Sequence, residues 1–346
     1  MDGVADAHRV LQVPAEQRLF HPVILPAYCG PDVAPQVSAT RDPTAPWYDG
    51  ACVFTTNDLR LALAAWDVPH AAELAPLAGG INASVWTVGA GATKLLAKVA
   101  HRSALHPGLE VAEFLSDRDF RAGAPLRTRA GQLSVATAPE TELALLQFVP
   151  GRPLGVSDED LEHRGRTLGR AHALLRTFAS APIERRWPWS WLTDFDKLPL
   201  SARLRGAIEG AVQRAEELVS MHALTMGILH GDTAGPDFLF EEVADQVGLV
   251  DWGAVMYGPL LYDVGTVCGL RHLEGDRRRV FVTAYLRESA LPEGELAFLD
   301  DFVRLRWGVQ ARYFSWRISQ RVRVGIASDR ENRSGLRDAL RALGIT

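Results

Sequence analysis

Apolar residues recur along this chain with two different periods. From about residue 77 to 149 the pattern is short and strand-like. Leu77–Trp86 reads as strand, Gly-rich turn and strand, and Gly89-Ala90-Gly91 makes the next hairpin. Thr93–Val99 alternates, with Leu95, Ala97 and Val99 on one face and Leu96 and Lys98 on the other. Leu143–Val149 is a continuous apolar strand that runs into Pro150-Gly151. Helical spacing of Leu109, Ala112 and Leu115 interrupts this unit over 103–120, and a helix over Leu59–Trp66, capped by Thr56-Asn57-Asp58, precedes it.

Beyond residue 151 the period becomes helical. Leu161, Leu168, Ala171, Leu175 and Phe178 form one stripe, and Leu204, Ile208, Ala211, Ala215, Leu218 and Val219 another. His172 falls in the first stripe and reads as a core histidine. Short apolar strands at Gly227–Leu229, Phe238–Phe240 and Val247–Val250 come next, then helices to the C-terminus. The pattern predicts an α+β fold of two lobes, a small β-rich lobe over 55–150 and a larger helical lobe over 151–346, with a cleft between them. Residues 1–54, punctuated by Pro22, Pro26, Pro31, Pro35, Pro43 and Pro46, read as a loop-like extension of unknown role.

Composition narrows the classes. With 346 residues, 47% of them hydrophobic, the chain can bury an ordinary core, arranged as two lobes or domains. The net charge of −5 is spread as interspersed signs without a basic stripe, so no nucleic-acid partner is expected. Apolar runs are far short of a membrane span, and Met1–Asp6 lacks the features of a signal peptide. Cys29, Cys52 and Cys268 are widely spaced and read as reduced thiols, which points to the cytoplasm. Lysine is confined to Lys94, Lys98 and Lys197 in a chain that otherwise uses arginine. A lysine kept inside an apolar strand suggests a site that wants a compact ammonium, and Lys98 is that lysine; Lys94 lies at the strand start and reads as solvated.

The stretch LHGDTAGPDFLFEEVADQVGLVDWG carries the chemistry. A strand delivers Asp232, a second carboxylate follows at Asp237, and a further strand ends at Asp251-Trp252-Gly253. Phosphoryl transfer needs one carboxylate to take the hydroxyl proton and two oxygen ligands to hold Mg²⁺ on the triphosphate. The five-residue spacing and the Asp-Trp-Gly match the layout of a kinase catalytic loop.

With His230-Gly231-Asp232, Asp-Trp-Gly and Gly258-Pro259-Leu260-Leu261-Tyr262-Asp263 in place, the chain resembles the aminoglycoside phosphotransferase and choline kinase family. These are small-molecule kinases with the protein-kinase-like fold. The likeness runs from about Leu59 to about Arg321 and is most specific over 229–265. It implies an ATP or GTP donor, Mg²⁺ and a small-molecule hydroxyl acceptor. Asp232 would be the base, Asp237 and Asp251 the metal ligands, and Lys98 the partner of the phosphates. Leu96 would cover the adenine, Phe148 would mark the hinge that reads its edge, and Gly79, Gly80, Asn82 and Ser84 would belong to the phosphate-covering loop. A helix glutamate would hold the lysine; Glu110 is preferred, with Glu113 one turn on and His106 nearer the helix start. His230 would pack behind the loop and Asp263 would support it.

One residue departs from the family pattern, which has Asn where this chain has Asp237. Asp keeps the oxygen ligand and adds a charge, so a catalytically dead nucleotide-binding scaffold remains an alternative. The family's acceptor lies against the C-terminal helices, which makes Trp307, Tyr313 and Arg317 the substrate candidates. The arginine excess there disfavours a polycation. A neutral or acidic, partly planar acceptor fits better, such as a nucleoside- or macrolide-type antibiotic phosphorylated for resistance; a metabolic kinase of an amino alcohol or sugar is the other reading.

Overall fold

The alternation over 93–99 becomes a strand flanked on both sides. In the computed structural model, which describes residues 55–69, 71–77, 83–91, 93–178, 187, 190–195, 198–322, 326 and 328–345, the small lobe is an antiparallel sheet. Its strands are β1 (Glu73–Leu77), β2 (Ala83–Ala90), β3 (Thr93–His101), β4 (Val135–Ala138) and β5 (Thr141–Gln147), in the order β1-β2-β3-β5-β4. The extension over 1–54, with Cys29 and Cys52, lies outside the described residues.

Register explains the two faces of β3. Lys98 stands opposite Val85 of β2 and Ala144 of β5. Leu95, Ala97 and Val99 point the other way, into a cluster with Trp86, Val88, Leu143 and Leu145. That cluster is closed by Leu59 and Leu63 of α1 (Thr56–Leu63) and by Trp66, whose indole N–H donates to the Leu126 carbonyl at 2.7 Å. Helix α1 starts earlier than its sequence signal implied. Thr55 is the cap, in a reciprocal pair with Asp58 that satisfies two first-turn N–H groups. Helix α2 (Arg102–Ser116) follows β3 directly and stops short of residue 120 at a turn in which Asp119 has φ 56°.

The predicted stripes of the large lobe are buried in one core. It includes Leu161, Leu168, Ala171 and Leu175 of α3 (Asp158–Leu175) and Leu204, Ile208, Ala211, Ala215 and Leu218 of α4 (Ala202–His222). Helices α5 (Leu261–Leu270), α6 (Gly275–Glu288), α7 (Leu299–Ser319) and α8 (Asp329–Ala342) complete the lobe. Two small antiparallel ladders sit where the lobes meet. One pairs β7 (Met226–Leu229) with β10 (Met256–Pro259); the other runs β6 (Arg152–Pro153), β8 (Phe238–Glu241), β9 (Gln246–Leu249). No helix among the described residues is long and apolar enough to cross a membrane. Cys268 is a buried free thiol on α5, pushed up to about 12 mainly by burial, which makes it a packing residue and a poor nucleophile.

Candidate active site

The ladders bring the three carboxylates together. Asp232 follows β7 after a turn, Asp237 immediately precedes β8, and Asp251 comes just after β9. Phe238 pairs with Leu249, and the Val250 N–H donates to the Asp237 carbonyl at 2.9 Å, so Asp237 and Asp251 emerge side by side from one hairpin. Asp251 has φ 64° and ψ 59°, a left-handed conformation that Asp tolerates better than most residues, and this turns its carboxylate toward β3. Lys98 Nζ meets Asp251 Oδ1 at 2.5 Å, linking the small lobe to the large one.

A second buried group shapes the loop. Asp263 on α5 is fully buried and its carboxylate accepts from the backbone N–H groups of His230 at 2.7 Å and Gly231 at 2.9 Å. His172 Nε2 lies 3.1 Å from the same carboxylate and its Nδ1 2.9 Å from the Tyr285 hydroxyl. The Asp263 backbone carbonyl takes the Thr233 hydroxyl at 2.8 Å. His230 is itself buried, with Nε2 2.9 Å from the Val250 carbonyl and its ring edge-on to Trp252. The His230 imidazole therefore holds backbone directly and His172 braces the Asp263 carboxylate, while the Asp232 side chain stays 57% exposed at the cleft.

Helix α2 touches this machinery through a glycine. A Cβ at Gly108 would stand 2.7 Å from the Trp252 carbonyl carbon, closer than any side chain packs on backbone. Gly108→Ala must push α2 off the Asp251 turn. Such overpacking costs about 1–3 kcal/mol, and it moves the turn on which Lys98 depends. We expect a lower melting temperature and a smaller nucleotide-induced shift than wild type. Gly206→Ala on α4, where a Cβ meets nothing within 4 Å, is the control and should leave both unchanged or slightly raised. Equal melting of the two variants would refute the contact.

The site's electrostatics single out Asp237. Its carboxyl is held well above the usual range, first by burial and then by the negative charges of Asp251 and Asp232, with Arg164 and Lys98 opposing. Asp251 is shifted the other way, chiefly by the Lys98 charge beside it. Two arginines back the loop. Arg164, fully buried over the Phe238 ring, donates to the Leu154 carbonyl at 2.8 Å and the Thr233 carbonyl at 3.3 Å. Burial brings it down to about 9, with Asp237 acting to hold its charge. Arg271 donates to the Gly235 carbonyl at 2.7 Å. Two adjacent hard-oxygen carboxylates, one destabilised by its neighbours' charge, suit a divalent cation that takes its remaining ligands from phosphates and water. Among the described residues no group of three or more His, Cys, Asp or Glu is gathered for a metal.

The other anticipated residues fall in three places. Leu96 lies on the Lys98 face and is half-buried, and Phe148, just past β5, carries Lys94 over its ring at 4.2 Å. Ser84 is exposed on β2, while Gly79, Gly80 and Asn82 lie outside the described residues. Glu110 is 3.7 Å from His106 across one helical turn, and Glu113 is bidentate to Arg127 at 2.6 and 2.8 Å, whereas the ion pair made by Lys98 is with Asp251. Of the proposed acceptor residues Trp307 and Arg317 are interior and Tyr313 is half-buried. Trp307 is buried, and Arg317 is buried with Nε 2.8 Å from Asn332 of α8 and Nη1 3.1 Å from the Tyr313 hydroxyl. The first contact docks α8 on α7; the second lies within α7. The α7 residue that reaches the cleft is Arg306, whose Nη2 is 3.0 Å from Asp232 Oδ1. Its sequence signal was an arginine among Phe302, Leu305 and Val309 at helical spacing. Arg164, between Leu161 and Leu168, carries the same signal.

Comparisons with known proteins agree with this fold. Among solved structures, a microcompartment-associated aminopropanol kinase superposes with a TM-score of 0.64 at 18% identity, covering 84% of this chain and 95% of its own. A spectinomycin phosphotransferase gives 0.59 at 14% identity, with 83% and 97% covered. The choline kinase of Streptococcus pneumoniae gives 0.58 at 11%, with 79% and 94% covered. At these identities the likeness establishes the fold, the α+β bilobal architecture of the protein-kinase type. No curated protein sequence matches the chain. A sequence model described as the phosphotransferase enzyme family matches residues 73–302, the span from β1 into α7 that holds Lys98 and all three carboxylates. The chain belongs to the phosphotransferase enzyme family.

Proposed function

We propose that this protein moves the γ-phosphate of ATP or GTP to a hydroxyl of a small molecule, with Asp232 taking the hydroxyl proton. The observation that carries the reading is the convergence of Lys98, Asp232, Asp237 and Asp251 at one cleft, with Asp232 open to it. Lys98 steadies the phosphates, and Asp263 fixes the loop so that Asp232 meets the hydroxyl in line with the phosphorus. Asp237 and Asp251 would hold Mg²⁺, which when bound neutralises charge on the triphosphate. The Asp in place of the family's Asn is compatible with activity, because Arg164 and Arg271 stand behind it as compensating charge.

For the acceptor, Arg306 on the cleft side of α7 favours a neutral or acidic compound, and an antibiotic inactivated by phosphorylation is our reading. The spectinomycin phosphotransferase among the structural relatives supports it. The aminopropanol and choline kinases favour a second reading, an amino alcohol acceptor in metabolism. The deciding experiment is a panel of hydroxyl compounds offered with ATP or GTP and read by mass for one added phosphate. No transfer to any compound, with nucleotide bound, would leave the protein a nucleotide-binding scaffold.

Asp237 allows a test that needs no acceptor. A carboxyl whose folded pKa is raised binds its proton more tightly in the folded state, so stability falls as pH climbs from the unfolded value to the folded one. Asp237→Asn removes that cost. In chelator it should melt above wild type at neutral pH, the gap closing below about pH 4, where both states are protonated. Added Mg²⁺ and nucleotide should then raise wild type more than Asn, and Asp237→Ala least. Equal Mg²⁺ responses in wild type and Ala would remove Asp237 from the metal.

A further inference from the structure

Arg306 stands in an unusual place for a cation. Its side chain is only 10% exposed, yet its ion-pair partner is the mostly solvated Asp232. Its Nε is buried with no hydrogen-bond partner among the described residues. A guanidinium taken out of water needs more than one weakly shielded carboxylate to offset its desolvation. Of the other acids of the site, Asp263 accepts from His230, Gly231 and His172, and Asp251 pairs with Lys98. Arg306 therefore has donor capacity in excess of the carboxylates around it, beside the oxygen to which the acceptor hydroxyl must come.

Resting on the phosphotransferase reading above, we propose that Arg306 determines specificity by binding an anionic group, carboxylate or phosphate, carried by the acceptor next to the hydroxyl that is phosphorylated. Two donors of a guanidinium match two oxygens of such a group, which fixes the hydroxyl over Asp232 as well as attracting the molecule. An ammonium at the same position would face a like charge within a few ångströms. The chemistry is balanced without further reagents. The acceptor oxygen bonds to the γ-phosphorus as the bridging P–O bond breaks, the hydroxyl proton passes to Asp232, and the nucleoside diphosphate leaves.

The test uses acceptors that share a three-carbon skeleton and differ in charge: glycerate and glycerol 3-phosphate, glycerol, and 3-amino-1,2-propanediol. Full-length protein is supplied with ATP and Mg²⁺, and the phosphorylated product is measured by mass alongside total ATP consumption. An anionic probe should exceed the amine in kcat/KM by about tenfold or more. Arg306→Gln should lower kcat/KM for that probe by at least about tenfold, mainly through KM, while sparing or improving the amine; Arg306→Lys should recover part of the loss. Arg304→Gln, an exposed neighbour on α7, is the control and should match wild type. A residue that only braced Asp232 would lower all acceptors alike, so an unmoved acid-to-amine ratio in Arg306→Gln overturns the proposal. Preference for the amine by wild type overturns it too, as does ATP consumption with no product from either anionic probe. Failure to bind nucleotide or consume ATP would instead sink the phosphotransferase reading, and the inference with it.

Discussion

Asp232→Asn should turn over about 10²–10⁴-fold more slowly than wild type, the range lost when a positioned proton acceptor is removed. Its fold should survive. The side chain is mostly solvated and its ion pair with Arg306 is at the cleft. Asn keeps an oxygen for Arg306 but removes the counter-charge of a buried guanidinium, so stability should fall by about 1–3 kcal/mol without unfolding the protein. Nucleotide binding should also persist, because the role of Asp232 arises as the hydroxyl attacks and not when ATP binds. The check is steady-state kinetics beside a nucleotide-induced melting shift. Near-normal kcat would remove Asp232 from the role of base; loss of the melting shift would mean that it serves the nucleotide.

Asp263→Ala should behave in the opposite way, destabilising the protein by about 3–5 kcal/mol and losing activity as a result. The carboxylate is wholly buried and takes two successive backbone N–H groups and a histidine. Truncation strands all three donors away from water and leaves a void under the loop that carries Asp232. Asp263→Asn keeps one oxygen but turns an amide toward N–H donors, so it should recover only part of the loss. Denaturant unfolding of the two variants gives the numbers. A cost below about 1 kcal/mol for Ala would show that the loop holds itself without Asp263.

These two aspartates also show where the sequence was readable. Asp232, Asp237 and Asp251 lie within twenty residues, so local spacing and flanking strands encode their arrangement. Lys98 was legible because alternation assigns a strand face without any knowledge of its partner. That partner is 153 positions away, and no local pattern names it. The helix glutamate suffered from a related limit: Glu110 and Glu113 lie one turn apart, and while His106 is a local i,i+4 neighbour of Glu110, Arg127 reaches Glu113 from beyond the helix. Trp307, Tyr313 and Arg317 misled for a different reason. An aromatic–arginine stripe looks alike whether it lines a cleft or docks a helix, and here Arg317 bonds to Asn332 of α8. Arg306 and Arg164 were visible only as charges on apolar stripes, a signal that marks a buried cation without saying what it is for.

The backbone contact at Gly108 gives the two lobes a shared zero point. Lys98 and its neighbours reach across the cleft on flexible stems that can stretch or swing, but α2 meets Trp252 with no side chain between them. Whatever separates or closes the lobes must roll about that spot, since there is no compressible material there to absorb a translation. Variation elsewhere in the cleft can retune affinity by degrees. At position 108 the choice is binary, with glycine keeping the lobes in gear and every other residue lifting one off the other.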